Sequence, residues 1–108
     1  MLNISSGKFF ICKDPIDLKK SFDGLSEAVM KIFNIHIQEN SFFIFFNKRR
    51  DRMKVLYWDI DGFAIWYKRL EKGSYLIKNI DNSLIGRKDF IMLLEGIEPR
   101  RLRKRFSQ

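Results

Sequence analysis

Five consecutive large apolar residues, Phe42-Phe43-Ile44-Phe45-Phe46, constrain this chain more than any other stretch. Successive side chains of a strand point to opposite faces of the sheet. Such a run is therefore apolar on both faces and reads as an interior strand. A knot of charge follows at once: Lys48, Arg49, Arg50, Asp51, Arg52 and Lys54. Beyond it an aromatic, strand-like segment runs into Asp59-Ile60-Asp61-Gly62. Arginines placed between two hydrophobic strands are held rigidly, and a rigid basic ribbon is most useful against a polyanion.

The rest of the chain organises around that strand. Residues 8–12 form a short strand candidate that sits beside it. Asp14-Pro15 supplies an N-cap residue followed by a first-turn proline, with Asp17 in the first turn. Leu18, Phe22, Leu25, Val29 and Ile32 then recur at helical spacing, which predicts one amphipathic helix over residues 15–33 with Asn34 as its C-terminal cap. Gly24 lies inside that helix at a cost of about 1 kcal/mol relative to alanine, and a close packing contact is the expected reason. Strand candidates follow at 42–46, 53–60, 63–70 and 74–78, joined by short connections. Asp61-Gly62 is the strongest short-range hairpin signal among them, because both residue types tolerate positive φ. A second short helix fits residues 86–95, with Phe90, Leu93, Leu94 and Ile97 buried and Gly96 as its stop. The expected fold is α+β: an antiparallel meander sheet of four or five strands, one long N-terminal helix packed on it, and a short C-terminal helix. Residues 1–98 read as one domain and residues 99–108 as a mobile basic tail.

A two-residue turn at Asp61-Gly62 sets Ile60 opposite Phe63, Trp58 opposite Ile65, Leu56 opposite Tyr67 and Lys54 opposite Arg69, all on one face. Like charges directly opposite one another are destabilising, so the Lys54–Arg69 pair makes sense with an anion between them. The loop with Lys48, Arg49, Arg50 and Arg52 starts at that same end of the sheet, so these cations converge into one positive patch. Lys68 lies at that end too, on the other face. Tyr57 and Trp66 are candidates for base stacking, with core packing the favoured role for both.

Charge placement singles out the partner class. The 108-residue chain carries a formal net charge of +8. Residues 48–54 hold +4 and residues 100–105 hold +5, so the remainder sums to −1. The excess is confined to two clusters, which favours a polyanionic partner over a uniformly solubilising coat. Arg100, Arg101, Arg103, Lys104 and Arg105 of the tail join the hairpin cations as candidate nucleic-acid contacts. A composition of 45% hydrophobic and 15% aromatic residues excludes a disordered chain. The lone Cys12 permits no intrachain disulfide and reads as a small core residue in a reducing compartment. No apolar stretch approaches the ~20 residues of a membrane span, and the early apolar run is too short for a secretion signal, so the expected location is cytoplasmic, away from any membrane.

Catalytic chemistry has little to stand on. Asp59 and Asp61 are explained by turn chemistry, and neither a third oxygen ligand nor a distal glutamate completes a calcium loop. His36 has no histidine or cysteine partner at zinc-ligand spacing. There is no glycine-rich phosphate loop. The expectation is a protein that is not an enzyme and needs no cofactor or metal.

The central segment is more specific than any of this. Asp51-Arg52-Met53-Lys54-Val55-Leu56-Tyr57-Trp58-Asp59-Ile60-Asp61-Gly62-Phe63 resembles the core motif D-R-I/M-K-V/I-L-x-W-D-x-D/N-G-F/L of the TnpB-type accessory proteins of the insertion-sequence family numbered sixty-six. Tyr67-Lys68-Arg69-Leu70-Glu71-Lys72-Gly73 matches the Y-K-R-L-E-x-G that follows it. Upstream, residues 17–25 look like the family's D-M/L-R-K-G/S-F-D-G-L. These proteins are distinct from the RNA-guided nuclease of the same name. Two positions depart from the pattern: Ile60 and Ser21 stand where glycine is common, and Ile60 is taken to support the Asp61-Gly62 turn. The resemblance implies a factor encoded beside the transposase that assists transposition, the strand-cutting acids belonging to the larger protein. Two readings follow. In one, the basic hairpin binds DNA backbone. In the other, an aromatic sheet face binds the transposase and DNA is not contacted directly. A metal-dependent nuclease built on Asp59 and Asp61 is the least favoured.

Overall fold

The computed structural model of the chain describes residues 7–37, 40–75 and 83–95. Its elements are β1 (Lys8–Ile11), α1 (Phe22–Phe33), β2 (Ser41–Phe46), β3 (Arg52–Asp59), β4 (Gly62–Arg69), β5 (Ser83–Ile85) and α2 (Arg87–Leu94). The class is α+β, with five strands in the order β4-β3-β2-β1-β5. The sheet is mixed and not the expected antiparallel meander: β1 runs parallel to β2, while the other three pairings are antiparallel. The reason is the connection. A chain that leaves β1, forms a helix and returns beside β1 has made a crossover, and a crossover joins parallel strands.

The phenylalanine run occupies the middle of this sheet, and all five of its residues are buried. Phe43 and Phe45 face a layer built with Leu25 and Val29 of α1, while Phe42, Ile44 and Phe46 face a layer built with Phe90 and Leu93 of α2. Each helix therefore covers one side, which is what five apolar residues in succession require. The rings pack against one another on both faces. Phe10 stacks on Phe43 at 4.9 Å and Phe9 stacks on Phe90 at 4.4 Å between centroids.

The first helix is shorter than expected. It spans Phe22–Phe33, with Ser21 as N-cap and Asn34 closing it in the left-handed region at φ 55°. Residues 15–21 are not helical, because their backbone groups are used elsewhere. Cys12 N–H donates to the Ile44 carbonyl and Ile16 N–H to the Phe46 carbonyl, so the chain keeps running beside β2 after β1 has ended. Asp17 then makes its own turn. Its carboxylate accepts the Lys19 N–H at 2.9 Å and its carbonyl accepts the Lys20 N–H at 3.0 Å. Leu18 is buried from within this turn, whereas Phe22, expected on the core face, is 42% exposed. The close contact expected at Gly24 is present. A Cβ there would lie 3.1 Å from the Cβ of Lys20, the last residue of the turned segment before the N-cap.

The second helix ends within the span expected of it, with Phe90, Met92 and Leu93 buried. Ile97 and Gly96, the expected end of that helix, lie outside the described residues, as do the tail and residues 76–78 of the strand expected at 74–78. Ser74 and Tyr75 belong to no strand. Cys12 is buried as expected, and its thiol donates to the Asp14 carbonyl at 3.4 Å. Burial raises its pKa, so it is an inert core thiol.

Candidate nucleic-acid interface

The charged loop between β2 and β3 is built on one asparagine. The Asn47 carbonyl accepts the Arg50 N–H at 3.1 Å, closing a turn over Lys48 and Arg49. The Asn47 side-chain amide donates to the Asp51 carboxylate at 2.6 Å, and its oxygen accepts the Arg52 N–H at 3.0 Å. This amide hydrogen bond is the main reason that the Asp51 carboxyl is held below its ordinary range, with the charges of Arg49 and Arg52 adding to it. Arg50 sits in the left-handed region at φ 56°, and its carbonyl accepts the Tyr75 N–H at 2.6 Å. The Asp51 carbonyl accepts the Leu70 N–H at 2.7 Å. The loop is thereby pinned from both sides, and it presents the exposed side chains of Lys48 and Arg49.

The β3–β4 hairpin carries the remaining cations, in a register two residues away from the expected one. Asp59 pairs with Gly62, so Ile60 and Asp61 form the loop, and Ile60 holds φ 56°. The aromatic pair explains the choice. Trp58 stands directly opposite Phe63, edge to face at 5.1 Å, and its indole N–H donates to the Ile60 carbonyl at 3.1 Å. The expected register separates that pair. Ile60 thus occupies the strained position itself, a place that suits glycine, and it does not support a turn at Asp61-Gly62.

A slip of two residues leaves every side chain on its expected face but changes the partners. Lys54 stands opposite Tyr67, and the like-charged pair is Arg52 with Arg69. Arg69 also reaches Glu71 at 3.2 Å in an exposed ion pair. Lys54 lies 5.4 Å over the Tyr67 ring and donates to the Lys20 carbonyl at 3.0 Å. Arg50 donates to the Lys13 carbonyl at 3.3 Å and lies 5.8 Å from the centre of the Phe46 ring. Arg50 and Lys54 therefore fasten the segment between Lys13 and Lys20 at its two ends, each through a backbone carbonyl.

Between that segment and the hairpin lies a groove of about 720 Å³. Among the described residues Lys19, Lys48, Arg49, Arg52 and Lys54 line it, against a single carboxylate, Asp17, already engaged by the Lys19 N–H. Pro15, Ile16 and Leu18 give the groove an apolar wall, and Tyr67 adds an aromatic ring that is half exposed.

Of the cations picked out from sequence, Lys48, Arg49, Arg52 and Lys54 meet in this groove. Arg50 and Arg69 flank it. Lys68 stands apart on the opposite face, where its ammonium donates to the Leu94 carbonyl at 2.9 Å. Arg100, Arg101, Arg103, Lys104 and Arg105 lie outside the described residues. Tyr57 is buried and Trp66 is packed against the core on the α2 side, so neither ring faces the groove. Tyr67 and Lys19 were missed. Face parity placed Tyr67 among the cations from the start, but Lys19 was hidden in a helix that does not form there. Asp59 is half-buried and Asp61 exposed at the far end of the hairpin. Among the described residues no three His, Cys, Asp or Glu side chains are grouped to hold a metal ion, and no helix is long and apolar enough to cross a membrane.

Comparison with known proteins agrees with the resemblance carried by the hairpin motif. No solved structure matches the chain. A protein of Sinorhizobium fredii (strain NBRC 101917 / NGR234), described as uncharacterized protein y4jC, is 24% identical over 108 residues, 97% of this chain and 92% of its own. The family model for the IS66 Orf2-like proteins matches residues 7–104 and takes in the whole groove and both helices, so the chain belongs to that family, whose role is an accessory one in transposition.

Proposed function

We propose that this protein is a non-catalytic accessory factor that binds DNA during transposition through the basic groove and its rim. The observation that carries the reading is the opposition of Arg52 and Arg69 across adjacent strands, beside a pinned loop that presents Lys48 and Arg49. A protein gains no stability from two arginines placed face to face, and a phosphate between them turns repulsion into a pair of charge-assisted hydrogen bonds. Lys48, Arg49 and Arg52 are the phosphate ligands. Arg50 and Lys54 hold the groove wall, and Arg69 completes the like-charged pair. Binding through about four or five phosphate contacts gives a log–log salt slope near −4 on duplex DNA.

Fluorescence anisotropy with labelled element-end DNA tests this. The combined Lys48→Ala, Arg49→Ala and Arg52→Ala variant should lose affinity by orders of magnitude while keeping a cooperative unfolding transition. Parent-like binding by that variant sinks the proposal.

A second reading has its own observation. At the far end of the hairpin Ile60 is 88% exposed and Phe63 is 38% exposed, beside Trp58. An apolar tip of this kind suits a protein partner, the transposase of the same element. That adaptor reading requires a stable complex with transposase in the absence of DNA, lost on Ile60→Asp.

A further inference from the structure

The geometry points to unpaired nucleotides as the groove's occupant: we propose that it seats a stretch of single-stranded DNA, with the Tyr67 ring as the stacking platform and Arg49 and Arg52 on the flanking phosphates. This rests on the DNA-binding reading above and adds strand choice to it.

A duplex offers a binding protein its phosphates and the edges of its bases, while the base faces are buried in the stack. Rim cations alone would serve it. The groove carries more than rim cations. The groove is open to solvent, and its volume of about 720 Å³ has room for a nucleotide. Its walls are of two chemistries that a single strand presents together: cations for the backbone, and an aromatic ring with apolar Ile16 and Leu18 in the same lining for a base.

Tyr67 is set up for that role. It is 49% exposed, so half of the residue is open to a ligand. It sits on a strand and not on a loop, and the Lys54 ammonium over its ring is itself fixed to the Lys20 carbonyl. The Lys54 contact biases the ring's position before any ligand arrives, which removes part of the ordering cost of binding. The aromatic residues on the opposite face have no such access, since Tyr57 is buried and Trp66 packs on the core. Asp17, the one carboxylate in the groove among the described residues, has its Oδ1 engaged by the Lys19 N–H, so it opposes a phosphate less than a free carboxylate would.

The test compares the full chain with Tyr67→Ala and Tyr67→Phe on two labelled probes, an oligothymidine strand and a blunt-ended hairpin duplex, at ~0.1 M salt. The parent should bind the strand more tightly than the duplex. Tyr67→Ala should weaken strand binding about tenfold or more and duplex binding less than about twofold, and Tyr67→Phe, which keeps the ring, should behave as the parent does. Equal losses on the two probes, no loss on the strand, or a phenylalanine variant as weak as the alanine one would each overturn the proposal while leaving the DNA-binding reading standing. Absence of binding to either probe by the parent would overturn both.

Discussion

Arg52 and Arg69 hold the groove's function at the expense of stability, and the size of that conflict is calculable. The two residues are directly opposite in the β3–β4 register, where Cβ atoms lie about 5 Å apart, and a charge separation of roughly 6 Å is taken for the calculation. Two like unit charges at about 6 Å in water repel by about 0.7 kcal/mol. A Debye length of about 10 Å at 0.1 M salt leaves about 0.4 kcal/mol, and one of about 3 Å at 1 M leaves about 0.1 kcal/mol. The ion pair from Arg69 to Glu71 is exposed on both sides and offsets little of it. A double-mutant cycle with Arg52→Thr and Arg69→Thr isolates the pairwise contribution, because each arginine's separate interaction with Asp51 or Glu71 cancels around the cycle. Threonine keeps a residue suited to the strand. Urea unfolding should give an unfavourable Arg52–Arg69 coupling of about 0.4 kcal/mol at ~0.1 M salt that fades into the error at ~1 M. Either single variant should also bind DNA more weakly than the parent. A favourable coupling, or one unchanged by salt, would show that the arginines are already compensated within the protein and would remove the reason for placing an anion between them.

Three other perturbations follow from the same geometry. Ile60→Gly relieves about 1–2 kcal/mol of left-handed strain at a nearly fully exposed side chain and costs about 0.5–1 kcal/mol in chain entropy. The thermal midpoint should therefore rise by an amount equivalent to roughly 0.5–1 kcal/mol, and a fall would mean that the side chain itself supports the turn. The Asp51 carboxyl has its pKa lowered in the folded protein, so its contribution is complete above the ordinary value of 3.8 and is lost as the pH falls through the lower folded value. The stability difference between the parent and Asp51→Asn should shrink as urea midpoints are measured at successively lower pH, and a difference that grows on acidification would reverse the assignment. The Tyr75 hydroxyl is buried with no hydrogen-bond partner among the described residues, and burial pushes its pKa up to about 12. Tyr75→Phe removes that hydroxyl, so stability should hold or rise by about 1 kcal/mol, and a loss of that size would reveal a partner for it.

The parts of the fold that were legible in the sequence are those fixed by side-chain alternation. Five apolar residues in a row required a covered central strand, and the even and odd residues of the hairpin lie on the faces that alternation assigns them. Partner identities were less legible, because alternation is blind to a slip of two. The Asp-Gly signal suggested one register and the Trp58–Phe63 contact selected another. The parallel β1–β2 pairing was legible in principle, since a helix between two strands implies a crossover. The first helix was overextended because Leu18 continued its spacing by coincidence. Nothing in the spacing showed that the amides of Cys12 and Ile16 would bond to β2, and that bonding is what leaves the Asp17 turn free to form the groove's second wall. The groove therefore escaped the sequence reading, although most of its cations did not.

Mapping of backbone amide shifts by NMR, with a short DNA strand titrated into the isotopically labelled protein, locates the DNA site residue by residue. The shifts should concentrate at residues 15–20, 47–54 and 67–69, around the groove. Shifts centred instead on the hairpin tip at Ile60 or on the α2 face would contradict binding in the groove.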